Sequence, residues 1–299
     1  MKVRVRCPAK VNLHLEVLGR RPDGYHELRT VFAAVGVWDE LAFEAAPPGV
    51  FELAVEPAGA VAAGDDNLVM RAARALDART GGGHGARIAL RKRVPVGAGL
   101  GGGSANAAAA LVALARLWGS CEEIHNLVPL GETLGADVPF FLLGGVAWGV
   151  GRGSEVTPLP DLPAWWLVLL PDPEPISTAE VYRRMGAPAL SAAALDASRD
   201  SEIYQWVTAG GELPLGSCRN DLQPTVAGRW PEVGRRLAGV RATQPMLALL
   251  SGSGGTVFGL YGDEEGARRA AAKLAGLDLL VVPLLTREAS LLRPSAGEE

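Results

Sequence analysis

Residues 95–119 read PVGAGLGGGSANAAAALVALARLWG, with five glycines between Gly97 and Gly103, then a serine, then a run of alanines and leucines. A chain that crowds glycines directly before a helix-forming stretch has few folds open to it. With no Cβ atoms in the way, main-chain N–H groups at the helix start can close on an anion, and the helix N-terminus adds favourable partial charge. Ser104 stands where it is expected to cap that helix, and its hydroxyl is also a candidate to face a phosphate or a metal-bound water. Taken alone, the loop is equally explained as a tight turn that lets the helix pack closely. No Gly-Lys-Ser/Thr follows, so it is not a P-loop. Gly97-Ala98-Gly99-Leu100-Gly101-Gly102 does satisfy GxGxxG, but the dinucleotide fingerprint expects a continuously apolar, buried parallel strand ahead of it. The preceding segment, RIALRKRV, alternates charged and apolar residues, and Pro95 separates it from the loop. Glu122 and Glu123 stand near the distance expected of a ribose-binding acid, yet past the helix end. A dehydrogenase stays open as an alternative that absence of NAD binding would close.

The chain has 299 residues, enough for two domains at roughly 150 residues each. The proline-rich stretch Pro158 to Pro163 is the best place to divide them, near 1–157 and 158–290, with 291–299 as a frayed tail. Alternation predicts half-buried strands through Val3 and Val5 and through Val11, Leu13, Leu15 and Val17, then an exposed loop over 19–27. Further strands are expected near 41–44, 51–55 and 88–94, with a helix over 68–79 capped by Asn67. A helix is expected within 129–143. Beyond the prolines the pattern gives strands near 165–170, 246–250 and 278–284, and helices near 178–186, 191–209 and 264–275. With 48% apolar and 21% charged residues the composition is that of a globular protein with a proper core. The formal net charge of -4 recommends neither a nucleic-acid partner nor an anionic membrane, so a highly charged ligand must be met by a local basic site. Cys7, Cys121 and Cys218 show neither a disulfide framework nor metal-ligand spacing, and the four histidines form no zinc motif. The N-terminus has no apolar signal core and no apolar run is long enough to span a bilayer, which together predict a cytoplasmic protein.

Five stretches, in order, resemble one family. PVGAGLGGGSANAAAAL is similar to the phosphate-binding motif of the GHMP kinase superfamily, and LSGSGGTVFGLY resembles its third motif, a glycine loop reaching the nucleotide from the other domain. CPAKVNLHLEVLGRRPDGYHEL, GADVPFFLLGG and SCRNDLQPTV resemble, within that superfamily, the kinases of 4-diphosphocytidyl-2-C-methyl-D-erythritol (CDP-methylerythritol). The likeness runs from about Val3 to Val282. It implies a two-domain α+β GHMP kinase fold, the N-terminal domain like ribosomal protein S5 domain 2 and binding ATP, the C-terminal domain ferredoxin-like, with the site between them. It implies ATP and Mg²⁺ as cofactors, and transfer of a phosphoryl group to the 2-hydroxyl of CDP-methylerythritol in non-mevalonate isoprenoid synthesis. A kinase for another alcohol, such as homoserine or mevalonate, and a catalytically silent sensor on the same fold are the alternatives. Oligomeric state is left as monomer or homodimer.

The resemblance also assigns roles. Asp137, by itself a good helix cap or turn residue, becomes the acceptor of the substrate hydroxyl proton. Lys10, otherwise a lysine that would reach for water, is placed beside Asp137 to hold it ionised and to steady developing charge. Tyr25 stacks on cytosine with Tyr182 as candidate opposite face, and His26 reads the base edge. Asn12 and Thr178 contact the erythritol part or orient Lys10. Asn67 and Leu68 lie against adenine, and Pro95, Gly97, Gly99, Leu100, Gly101, Gly102, Gly103 and Ser104 form the ATP loop. Gly252, Ser253 and Gly254 make phosphate or domain-closure contacts, and Ser104 is the metal-ligand candidate.

Overall fold

The computed structural model describes residues 2–120, 122–172 and 174–296. Its frame is a long antiparallel pair, β1 (Lys2–Arg20) and β2 (His26–Ala45), with register shifts at Pro8/Ala9, Asn12/His14 and Val17/Gly19. Alternation of buried and exposed residues holds at the start of β1, but from Cys7 to Leu15 every residue is buried. Such a run means that both faces of the strand are covered, and Lys10 and Asn12 lie within it. The charged turn between the strands is shorter than expected, because pairing continues to Arg20 and resumes at His26.

β3 (Phe51–Glu56) crosses through α1 (Leu68–Arg79) to β4 (Ala86–Arg91), which lies parallel to it and antiparallel to the second half of β2. Asn67 caps α1 as expected, its side chain accepting from Val69 N at 2.9 Å. α2 (Gly102–Leu117) packs on this sheet, and its alanines let it approach β1, β2 and α1 closely enough to bury nearly every side. The expected single helix near 129–143 is two, α3 (Ile124–Leu134) and α4 (Val138–Leu143). Gly135, extended at φ 176 and ψ 151, ends the first, and the break sets Asp137 at the head of the second. β5 (Val146–Gly151) pairs with the first half of β2, and β6 (Glu155–Leu159) pairs with β5.

The second sheet begins with β7 (Trp166–Leu170). Next come α5 (Thr178–Met185), α6 (Ala192–Arg199) and α7 (Glu202–Ala209), with Ser201 capping α7 and splitting the long helix expected over 191–209. α8 (Gln223–Arg229) and α9 (Pro231–Ala242) lead to β8 (Leu247–Leu250), β9 (Val257–Tyr261), α10 (Glu264–Lys273) and β10 (Leu280–Pro283). The antiparallel order β10-β7-β9-β8 is that of a ferredoxin-like sheet, as the resemblance implies. The segment expected to fray returns to the first sheet: α11 (Arg287–Ser290) follows, Leu292 is buried in the core around α4, and β11 (Ser295–Ala296) pairs with β1. Burial of Leu292 gives this segment a hydrophobic anchor; residues 297–299 lie outside the described residues.

β1 also meets the second half of the chain, Leu15 N donating to Arg219 O at 2.7 Å and Asp221 N to Leu15 O at 2.9 Å. His14 is fully buried there, accepting at Nδ1 from Arg219 N at 3.3 Å, with no partner for Nε2 among the described residues. Burial pushes its imidazole down to about 4, and the Arg219 charge adds to the shift while Asp221 opposes it. The unfolded chain therefore takes up the proton first, near pH 6.5, and stability falls as pH drops from there toward 4. Between pH 7 and 5 this group removes about 2 kcal/mol. Urea midpoints at those two pH values should fall further apart in the wild-type chain than in His14→Gln; parallel losses in the two would assign the effect elsewhere.

Candidate active site

Gly101, at φ 72, is the N-cap of α2, so Ser104 does not cap the helix but stands inside its first turn. A residue with no side chain ends the loop, so no side chain caps α2, and Ser104 lines the neighbouring cleft instead. Gly99 is fixed by the approach of the second half of the chain: a Cβ there would lie 2.1 Å from Ser251 O, at a φ of +80°. Thr256 N donates to Ala98 O at 3.2 Å and Ser251 Oγ to Gly99 O at 3.0 Å. The two glycine motifs are thus in backbone contact. Gly254 belongs to that contact rather than to the open cleft, since a Cβ on it would lie 2.2 Å from Gly99 N. Asn220 supports the same place from behind, its Nδ2 donating to Leu250 O and Gly252 O, both at 2.8 Å.

The loop is anchored by a carboxylate that sequence reasoning missed. Asp39 is fully buried; Oδ1 accepts from Arg93 N at 2.7 Å and Val94 N at 2.9 Å, and Oδ2 from Asn106 Nδ2 at 2.8 Å and from the buried ammonium of Lys92. One side chain therefore joins β2, the segment entering the glycine loop and the second turn of α2. Cys7 lies against this cluster, and burial, with Asp39 beside it, pushes its thiol up to about 12. Burial also pushes the Cys218 thiol up to about 12, so both thiols stay protonated and unreactive. Cys121 lies outside the described residues.

Lys10 is buried, and its ammonium is oriented from two sides. Nζ donates to Asn12 Oδ1 at 2.8 Å and lies 3.4 Å from Asp137 Oδ2. Asn12 is held in turn, Nδ2 donating to Thr30 Oγ1 at 2.8 Å and that hydroxyl to His14 O at 2.7 Å. Lys10 N donates to Leu100 O at 3.0 Å, so strand and glycine loop are directly bonded. Gly252 closes over the pair, a Cβ on it lying 3.4 Å from Lys10 Nζ. Asp137 occupies the N-cap position of α4, yet its carboxylate makes no capping bond and is partly open to the cleft, with 31% of the side chain exposed.

Lys10, Asn12 and Asp137 open into a cleft of about 1450 Å³ that is also lined by Pro95, by Gly97 through Ser104, and by Gly252 and Ser253. Asn67 and Leu68 also line it, as do Tyr25, His26, Thr178 and Tyr182. The two tyrosines are not paired: the Tyr182 ring lies on His26, with centroids 4.7 Å apart, while the exposed Tyr25 ring carries the Arg152 guanidinium at 4.8 Å. Burial, reinforced by the Asp137 charge, pushes the Tyr182 phenol up, so it stays a neutral donor. Burial and the neighbouring Arg20 hold the His26 imidazole below its ordinary value, leaving it neutral with one donor and one acceptor. Thr178 Oγ1 and Ser253 Oγ are 2.7 Å apart and join α5 to the third glycine motif across the cleft.

Residues 67–145 match the family described as GHMP kinases N terminal domain. A 4-diphosphocytidyl-2-C-methyl-D-erythritol kinase from Pelotomaculum thermopropionicum is 42% identical over 279 residues, covering 93% of this chain and 96% of that one. One from Aromatoleum aromaticum is 41% identical over 270 residues, covering 90% and 88%. The chain belongs to this kinase family. A crystal structure of 4-(cytidine 5'-diphospho)-2C-methyl-D-erythritol kinase, 37% identical, superposes with a TM-score of 0.73 over 94% of this chain and 98% of that one. A homoserine kinase from Cytophaga hutchinsonii reaches 0.77 over 98% and 97% at only 18% identity. Backbone shape therefore does not separate these kinases; sequence does, and the homoserine kinase likeness speaks for the two-domain α+β GHMP kinase fold alone. The dehydrogenase alternative falls on topology, since the strand before the glycine loop sits in a mixed, largely antiparallel sheet.

Two features at and behind the cleft carried only faint signals in the sequence. Arg152, in GRGS, is an exposed-loop arginine like many others until Tyr25 is found beneath it. Lys92 and Asp39 are 53 residues apart and betray themselves only as charges interrupting apolar strands.

Proposed function

We propose that this chain transfers the γ-phosphoryl group of ATP to the 2-hydroxyl of CDP-methylerythritol. One observation carries the reading: the glycine rim of α2 and the Lys10–Asp137 pair open into a single cleft and touch through Lys10 N and Leu100 O. In this reading the amides between Gly97 and Ser104 hold the triphosphate, and Asn67 and Leu68 lie against adenine. Asp137 accepts the hydroxyl proton as the oxygen bonds to the γ-phosphorus and the bond to the β-phosphate oxygen breaks, its electrons leaving with ADP. Lys10, held by Asn12, keeps Asp137 oriented and places a positive charge beside the transferred group. Tyr25 offers the cytosine an open ring face, with Tyr182 and the neutral His26 as the other wall.

Among the described residues no three His, Cys, Asp or Glu side chains cluster to hold a metal, so Mg²⁺ would come with the phosphates. In this reading the Ser104 hydroxyl would help hold it, and the ion would neutralise charge on the phosphates during transfer. The domain boundary is read near Pro158, and the chain is read as a cytoplasmic monomer or homodimer with no nucleic-acid or membrane partner. No helix among the described residues is long and apolar enough to cross a membrane.

Incubation with ATP, Mg²⁺ and CDP-methylerythritol, followed by phosphorus NMR, is expected to give a new phosphomonoester signal matched by ADP. ADP without that signal, or equal turnover of homoserine or mevalonate, would refute the substrate assignment.

A further inference from the structure

The end of the chain reaches back to the helix that carries Asp137. After β10, Leu285 N donates to Ala34 O at 2.9 Å, and α11 forms against the C-terminal end of α4. Arg287 opens α11, its N–H donating to Asp161 Oδ1 at 2.8 Å, and turns its guanidinium onto four main-chain carbonyls. Nη1 donates to Leu143 O at 2.9 Å and Gly144 O at 2.7 Å. Nη2 donates to Val146 O and Leu159 O, both at 2.8 Å. The last carbonyls of a helix have no partners within it, and a planar five-donor fork can satisfy several at once from fixed directions. A cation at that end is also favoured by the helix charge distribution.

The fit is specific to this arginine. A Cβ on Gly145 would lie 2.8 Å from Arg287 Cβ and 3.2 Å from its guanidinium carbon, so the missing side chain at 145 leaves the space over which the arginine folds back. Gly145 N donates to the buried Ser290 Oγ at 2.7 Å, and that hydroxyl donates to Arg287 O at 3.0 Å. Leu292 then packs into the core that holds Phe140 and Phe141.

We infer that Arg287 is a positioning residue for phosphoryl transfer, fixing the height and rotation of α4 so that Asp137 stands opposite Lys10. The inference rests on the reading of Asp137 as proton acceptor. α4 has only six residues, about 9 Å of helix, so a displacement at Leu143 reaches Asp137 little diminished. Core packing of Val138, Phe140 and Phe141 seats the apolar face of α4, but the Asp137 carboxylate itself makes no cap bond, and its one ion-pair partner among the described residues is 3.4 Å away.

The test uses the full chain with Arg287→Lys and Arg287→Met, each alone and combined with Asp137→Asn. Rates are expressed per ATP-binding site counted by calorimetry, so misfolded molecules do not enter. Since a misplacement of about 1 Å can cost about a hundredfold, Arg287→Lys should lower kcat about tenfold and Arg287→Met roughly fiftyfold. The Kd for ATP should stay within about twofold. In the Asp137→Asn chain, whose residual rate is followed with radiolabelled ATP, adding Arg287→Met should change the rate less than about twofold, because a group acting through Asp137 has nothing left to act on. A fall by the same factor in both backgrounds, or no fall in kcat per site, would overturn the inference and leave the role of Asp137 standing. Full turnover by Asp137→Asn alone would overturn that reading, and the inference with it.

Discussion

Replacing Asp137 by Asn is expected to lower turnover about a thousandfold while leaving ATP affinity within about twofold. The substitution keeps the shape of the side chain and removes only its capacity to take a proton and its charge. No helix cap is lost, because the carboxylate makes no capping bond in α4. Lys10 keeps its bond to Asn12, so the buried ammonium is not orphaned. The loss should therefore appear in kcat, measured with ATP and CDP-methylerythritol, and scarcely in the Kd of ATP, measured by calorimetry. Turnover within about threefold of wild type would mean that the substrate hydroxyl needs no carboxylate, and that positioning on the glycine rim alone supplies the rate. A parallel loss of ATP binding would instead place Asp137 in the nucleotide site.

The parts of this site that could be read in the sequence are those whose chemistry is written locally. The glycine run before α2 and the cap of α1 by Asn67 each follow from a few adjacent residues. β2 shows where such reading stops. Near Leu41 one face is wet and alternation marks a strand, but from Arg29 to Ala34 the residues are buried on both faces and no period survives. The break between α3 and α4 was also hidden, since Gly135 in an apolar stretch reads as tolerated helix until its extended backbone is seen. Arg287 lies beyond the last apolar segment, where a charged residue suggests solvent. Its four carbonyl partners are 128 or more residues away in the chain and leave no trace in its neighbours. Asp39 is the same case inside the core.

Asp39→Ala is expected to cost about 3–5 kcal/mol, a large share of the roughly 5–15 kcal/mol that holds a domain folded. The Lys92 ammonium would keep only Asn106 Oδ1, at 3.4 Å, in a place where 5% of its side chain meets solvent. The N–H groups of Arg93 and Val94 would lose their acceptor as well. Two further substitutions separate these contributions. Asp39→Asn preserves an oxygen for both N–H groups but removes the charge and turns an NH2 donor toward Lys92 and Asn106, so any saving relative to Asp39→Ala reports the two backbone bonds. Lys92→Met in the Asp39→Asn chain removes the unpaired ammonium and should recover part of that loss, because the cost of a broken buried pair lies mainly in the charge left behind. Urea unfolding at pH 7 gives all of these values. A loss below about 1 kcal/mol in Asp39→Ala would mean that water replaces the carboxylate, which a fully buried site should not allow. Because Val94 leads directly into Pro95 and the glycine loop, the folded fraction of Asp39→Asn should also show a raised KM for ATP together with a lowered kcat. Asp39 does not line the cleft; it fixes the backbone where the glycine loop begins and, in the proposed reading, through that where a triphosphate would lie relative to Asp137.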